Sequence, residues 1–154
     1  MDVIQRESME YDVVIVGAGP SGLSAAIKLR ELSIENKIDI SICIVEKGSE
    51  VGAHILSGNV IDPKALNELI PNWKEKGAPL KTKVTSDSVR FLFSKSITIP
   101  VPLILTPTFN NHGNYIISLG NLCRWLAEYA ESMEIDIFPG FTASKLKYKD
   151  DEVV

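Results

Sequence analysis

The chain has 154 residues, of which 45 % are hydrophobic and 23 % charged, and its formal net charge is −4. This is the length of one globular domain or part of one. The acidic balance and the lack of any basic cluster exclude a nucleic-acid footprint. No apolar run approaches the roughly 18–20 residues of a membrane-spanning helix.

Met1–Glu10 is polar and mixed in charge. It reads as a flexible start, neither a signal peptide nor an Arg-rich transit peptide. Val13–Val16 is an apolar strand that runs straight into Gly17-Ala18-Gly19-Pro20-Ser21-Gly22. A helix is predicted over Leu23–Leu32, with Leu23, Ala26, Ile27 and Leu29 facing the sheet. A second apolar strand, Ile40–Val45, ends on Glu46. Strand, G-x-G-x-x-G, helix, strand and terminal acid together form the dinucleotide-binding fingerprint. A side chain at Gly19 would occupy the place of a pyrophosphate, and Gly22 allows the helix close to the strand. The helix start offers free N–H groups and the positive end of its dipole. Glu46 is placed to accept hydrogen bonds from both ribose hydroxyls, and its charge disfavours NADP. The expected cofactor-binding residues are Gly17, Ala18, Gly19, Pro20, Ser21, Gly22, Glu46 and Lys47. No catalytic residue and no metal ligand is assigned.

The glycines do not separate FAD from NAD. The segment Lys47–Gly58 is glycine-rich and irregular, where an NAD domain would enter another helix and a third parallel strand. A loop of this kind suits an extended FAD, as does the motif's place at the start of the chain. FAD is therefore the preferred cofactor.

Asp62-Pro63 starts a short helix that Pro71 stops, and Trp73 reads as an isolated aromatic. Val89–Phe93 and Tyr115–Ser118 are predicted strands. Leu119–Met133 is a second helix, with Leu122, Trp125, Leu126, Tyr129 and Met133 on one face. Ile135–Phe138 is a strand, Pro139-Gly140 a turn, and Lys145–Tyr148 opens a hairpin with its turn at Lys149–Glu152. The return strand is short and the parallel sheet has only two or three strands. The chain is thus expected to be the front of a longer protein. Cys43 and Cys123 lie in a strand and a helix and read as buried thiols, not a metal or redox pair.

Ser96–Pro107 carries six aliphatic side chains between Ile97 and Leu105 and three prolines. It reads either as a loop or edge strand covering the core, or as a segment that meets a bilayer surface or an apolar substrate. His54 and His112 show no acid or nucleophile partner in the sequence, which favours structural hydrogen bonding.

Three stretches resemble the N-terminal part of electron-transfer flavoprotein:ubiquinone oxidoreductase. They are DVVIVGAGPSGLSAA (12–26), VEKGSEVGAHILSGNVIDPKALNELIPNWKEKGAP (45–79) and NNHGNYIISLGNLCRWLAEYA (110–130), and ITIPVPLIL (97–105) between them is also similar. The first is common among flavoproteins, and the other two are far more specific.

The resemblance implies an α/β fold: an incomplete Rossmann-like FAD-binding domain of the glutathione-reductase type. It would occupy 11–154, with the start of an inserted antiparallel or membrane-associated region near 80–110. It also implies an electron-transferring-flavoprotein dehydrogenase. Such an enzyme takes electrons from reduced electron-transfer flavoprotein and passes them to ubiquinone at the membrane surface. FAD and one four-iron four-sulfur cluster are the expected cofactors, but Cys43 and Cys123 do not match the cluster ligands. This chain alone is therefore expected to be inactive.

The absence of a mitochondrial presequence suggests a bacterial member, on the cytoplasmic face of the inner membrane. Two other readings remain. One is a FAD-dependent reductase of the geranylgeranyl-reductase-like superfamily. The other is a FAD-binding fragment without catalytic competence.

Overall fold

The computed structural model describes residues 8–102, 104, 106–149 and 152–153. The expected flexible start therefore lies mostly outside the described residues, as do Leu103 and Leu105 of the apolar segment and 150–151 of the last turn. In chain order the elements are β1 (Val13–Val16), α1 (Pro20–Asn36), β2 (Ile42–Glu46), β3 (Asn59–Ile61), α2 (Lys64–Leu69), β4 (Thr82–Lys83), β5 (Val89–Leu92) and β6 (Thr98–Val101). A 3-10 turn at Pro107–Phe109 follows, then β7 (Tyr115–Ile117), α3 (Leu119–Glu131), β8 (Asp136–Pro139), β9 (Tyr148–Lys149) and β10 (Glu152–Val153). They form two compact units. One takes the chain up to His54 and again from Cys123, and the other is Ile55–Leu122.

The first unit is built on a parallel sheet of order β1-β2-β8. Val13 pairs with Ile42 and Ile15 with Ile44, while Val45 pairs with Phe138 on the other side. The central strand β2 buries Ile42, Cys43 and Ile44 in succession, as parallel strands covered on both faces do. At the edge, β1 leaves Val14 and Val16 exposed. Helix α1 lies against β1 and β2 and buries Leu23, Ala26 and Ile27.

This helix is longer at both ends than the predicted Leu23–Leu32. Pro20 starts it, because a residue without an N–H loses nothing in a first turn. It ends at Lys37, which adopts the left-handed conformation (φ 56°) and donates its N–H to the Ile34 and Ser33 carbonyls. No glycine marks that stop, so composition did not reveal it.

The N-terminal ends of the strands are pinned by polar contacts. The Ser41 N–H and hydroxyl both donate to the Asp12 carboxylate at 2.7 Å. Those two bonds hold the Asp12 carboxyl below its ordinary pKa. Arg30 donates to the Ile40 carbonyl at 3.1 Å and the Glu134 carbonyl at 2.7 Å. With Tyr11 and Asp136 these residues line a polar hollow of about 410 Å³.

The second unit contains an antiparallel sheet of order β3-β7-β4 and the separate hairpin β5–β6. Strands β3 and β4 were not anticipated. They have three and two residues, and only pairing with β7 makes them strands. Helix α2 starts one residue later than expected, with Pro63 at its cap instead of in its first turn, and the Asp62 carboxylate accepts from the Lys64 N–H at 2.9 Å. Trp73 is not isolated, contrary to its appearance in the sequence. It is buried, stands edge-on to Tyr115 with ring centres 5.7 Å apart, and donates its indole N–H to Asn67 at 2.7 Å. With Leu66, Ile70, Leu80 and Ile117 it makes the core of this unit.

Trp73→Ala is expected to cost about 3–5 kcal/mol by opening a cavity, and Trp73→Phe about 1 kcal/mol through the lost hydrogen bond. Denaturant unfolding of the two variants should rank them in that order. Equal midpoints would contradict the packing.

Helix α3 buries Leu122, Cys123, Leu126, Ala127 and Ala130. The buried stripe is thus rotated from the predicted one: Trp125 and Tyr129 sit at its margin, half-exposed and stacked at 6.1 Å. Small residues, not the aromatics, occupy the most crowded positions. Both thiols are free and buried, and burial pushes the Cys123 thiol up to about 11. They stay protonated, as a structural role requires.

Candidate functional site

Open parallel sheets bind ligands beyond the carboxyl ends of their strands. In the first unit that edge carries the Gly17–Gly22 turn after β1 and Glu46 at the end of β2. The polar hollow lies at the opposite edge and holds the strands together.

The glycine turn is tight in a way that can be measured. Gly17 has φ +100°, a conformation that L side chains rarely adopt. Its N–H continues the sheet ladder to the Val45 carbonyl at 2.8 Å. A Cβ on Gly22 would lie 2.1 Å from the Gly17 carbonyl oxygen, so the helix and the turn share space that only glycine leaves open. At Gly19 the opposite holds: an added Cβ would meet no atom within 4 Å. The backbone there faces open space at the start of a 17-residue helix. No side chain caps that helix, and its first turn carries no acid. The arrangement leaves a cradle for an anion that no side chain among the described residues caps.

Glu46 is joined to this turn. One carboxylate oxygen accepts from the Ala18 N–H at 2.8 Å and the other from the Gly48 N–H at 2.7 Å. The Gly48 N–H, more than any other group, holds the Glu46 pKa down, with help from the Ala18 N–H and from the His54 and Lys47 charges. The carboxylate is therefore ionised at neutral pH. A depressed folded-state value means that its contribution is complete above the ordinary carboxylate pKa and fades as pH falls through the lowered one.

The structure thus brings Gly17, Ala18, Gly19, Pro20, Ser21, Gly22 and Glu46 to one edge. Lys47 is exposed and meets the group as a neighbouring charge. His54 acts in the same way. His112 belongs to the second unit, in the Asn110–Asn114 turn, where its N–H is held by the Asn110 side chain at 3.0 Å. Gly48 was not singled out as a site residue. Its backbone contact with Glu46 has no sequence signature beyond the glycine itself.

In the second unit the hairpin forms another candidate surface. Val89 pairs with Val101 and Phe91 with Ile99. Alternation places Val89, Phe91, Ile99 and Val101 on one face, with Phe93 and Ile97 continuing it to the tip. Phe91, Phe93, Ile97 and Ile99 are 60 %, 70 %, 53 % and 50 % exposed. Phe91 and Phe93 were read only as strand residues, although the period of two in Val89–Phe93 would have placed them on this face. Among the described residues no helix is long and apolar enough to cross a membrane.

The family model for an NAD(P)-binding Rossmann-like domain matches residues 15–76. The electron transfer flavoprotein-ubiquinone oxidoreductase of Pseudomonas aeruginosa is 57 % identical over 98 % of this chain and 28 % of its own length. The chain spans about a quarter of the length of the curated relatives it matches. Among solved structures, a geranylgeranyl bacteriochlorophyll reductase-like protein from Thermoplasma acidophilum has a TM-score of 0.66 at 21 % identity, covering 93 % of this chain and 33 % of that one. Aklavinone-11 hydroxylase in complex with FAD and aklavinone has a TM-score of 0.63 at 20 % identity, covering 95 % and 28 %. The structural likenesses show the fold, Rossmann-like and α/β as expected. The sequence likeness is far stronger: over nearly the whole chain it is 49–59 % identical to the N-terminal quarter of proteins named electron transfer flavoprotein-ubiquinone oxidoreductase, which are its homologues.

Proposed function

We propose that this chain holds the adenosine diphosphate half of FAD, as the N-terminal part of an enzyme that carries electrons from reduced electron-transfer flavoprotein to ubiquinone. The observation that carries the reading is the pairing of the Gly19 cradle with a Glu46 carboxylate fixed to the same turn. Backbone N–H groups at the start of α1 hold the pyrophosphate, and Glu46 accepts from the ribose hydroxyls. Glu46 also excludes a 2′-phosphate by charge. The FAD-complexed hydroxylase shares this fold, which supports FAD over NAD.

Bound flavin supplies the electron chemistry, and the residues here supply placement and electrostatics. No proton transfer is assigned to any of them. The reductase-like alternative shares the fold at 21 % identity, against 57 % for the oxidoreductase relative. The four-iron four-sulfur cluster is proposed for the whole protein alone, since Cys43 and Cys123 do not match its ligands in the family it resembles.

Gly19→Val tests the site in the full-length protein. The added Cβ meets none of the described atoms within 4 Å outside its immediate neighbours, so the melting temperature should hold while bound flavin falls by at least a hundredfold. Stoichiometric flavin in that variant would sink the assignment.

The apolar face of β5–β6 is the proposed contact with the membrane surface, through Phe91, Phe93, Ile97 and Ile99. The support is the alternation, the exposure, and the basic Lys95 in the tip, which suits anionic headgroups. We infer with it a position on the bacterial inner membrane, facing the cytoplasm.

A further inference from the structure

We infer that Glu46 presets the glycine turn before any cofactor arrives, by holding the Ala18 and Gly48 amides on its two carboxylate oxygens. This adds a positioning role to the ribose contact proposed above. The ribose contact rests on the flavin reading, whereas the latch rests on the protein's own bonds.

The geometry has three parts. First, the two bonds, 2.8 Å and 2.7 Å, run to opposite sides of the carboxylate: one reaches back 28 positions to the first turn and the other forward two. The carboxylate therefore bridges the exits of β1 and β2. Second, the latch is anchored from behind. The Gly48 carbonyl accepts from the Gly140 N–H at 2.7 Å, and the Glu46 carbonyl accepts from the Phe141 N–H at 2.9 Å. The chain leaving β8 thus holds 46–48 in place. Third, Gly48 is buried and tight: an added Cβ would lie 3.1 Å from the Glu46 carboxylate and 3.1 Å from the Glu50 carbonyl. A glycine is what lets the backbone come this near.

Acceptor counting makes the latch compatible with a ligand. An ionised carboxylate offers about four acceptor directions. Two are used here, which leaves two, the number of hydroxyls on an adenosine ribose. Turn and ribose can be held together, and a turn already ordered lowers the entropic cost of binding. Aspartate is one methylene too short for the bridge. Glutamine turns an NH2 toward one of two N–H donors.

Two measurements on the full-length protein test this. In the first, hydrogen exchange is followed in protein stripped of flavin. Glu46→Gln should speed exchange across 17–22 by roughly ten- to a hundredfold, with Ile42–Ile44 unchanged. Glu46→Asp, which keeps the charge, should do the same and serves if the glutamine variant does not fold. Unchanged exchange across 17–22 in the folded variants overturns the latch.

In the second, the wild type and both variants are titrated with FAD and with an FAD analogue whose adenosine ribose lacks both hydroxyls. The latch predicts that Glu46→Gln weakens even the analogue by roughly tenfold. Equal affinity of wild type and variant for the analogue overturns it, because the carboxylate would then act through the ribose alone. A wild-type protein that binds neither ligand refutes the flavin reading, and the exchange measurement still decides the latch.

Discussion

Gly22→Ala in the full-length protein is expected to abolish stoichiometric flavin and to lower the melting temperature as well. The Cβ would stand 2.1 Å from the Gly17 carbonyl oxygen and 3.3 Å from the Ile15 side chain. Real Cβ atoms do not approach backbone that closely, so either α1 moves off β1 or the turn opens. Neither is cheap. Gly17 is committed to φ +100° and to its bond with Val45, and α1 buries Leu23 one residue later. Overpacking of this kind costs about 1–3 kcal/mol. Displacement of the anion cradle should add to that in binding, for a total loss of at least a hundredfold, or about 2.7 kcal/mol.

The contrast with Gly19→Val is the informative part. The Cβ there is added without a clash, so its effect should fall on flavin alone. Absorbance of the purified proteins, paired with their thermal unfolding, separates the two. A Gly22→Ala protein that is yellow and melts like the wild type would show that the turn is looser than its geometry.

Replacing Phe91 and Phe93 by aspartate should release the full-length protein from liposomes. Both rings are more than half exposed and share a face with Ile97 and Ile99. A buried aromatic is worth about 1.5–3 kcal/mol, and partial insertion of two gives about 2–3 kcal/mol. That is roughly thirty- to 150-fold in partition. Thr98→Asp, on the opposite face of β6, is the control and should float as the wild type does. Unchanged flotation of the double variant would leave this face without a membrane role.

The sequence was most legible where local chemistry dictates structure. Val13–Val16, the Gly17–Gly22 turn and Glu46 stand where the pattern put them, because each element of the fingerprint has a local steric or hydrogen-bonding cause. Asp62-Pro63 marks the start of α2 to within one residue for the same reason. Elements without a local cause were missed. Strands β3 and β4 exist only through β7, and Trp73 looked solitary because its partner Tyr115 lies 42 positions away. On α3 a period of 3.6 identified the helix but not which shoulder of the stripe would be buried.

By itself, then, the sequence determined the glycine turn after β1 and the acid at the end of β2, since glycine sterics and charge act over a few residues. Only the tertiary structure decided the rest. Strand pairing set the apolar face of β5–β6, and the meeting of two strand exits bound Glu46 to the Ala18 and Gly48 amides. Both depend on segments that become neighbours only when the chain folds, and no spacing along the sequence records such distances.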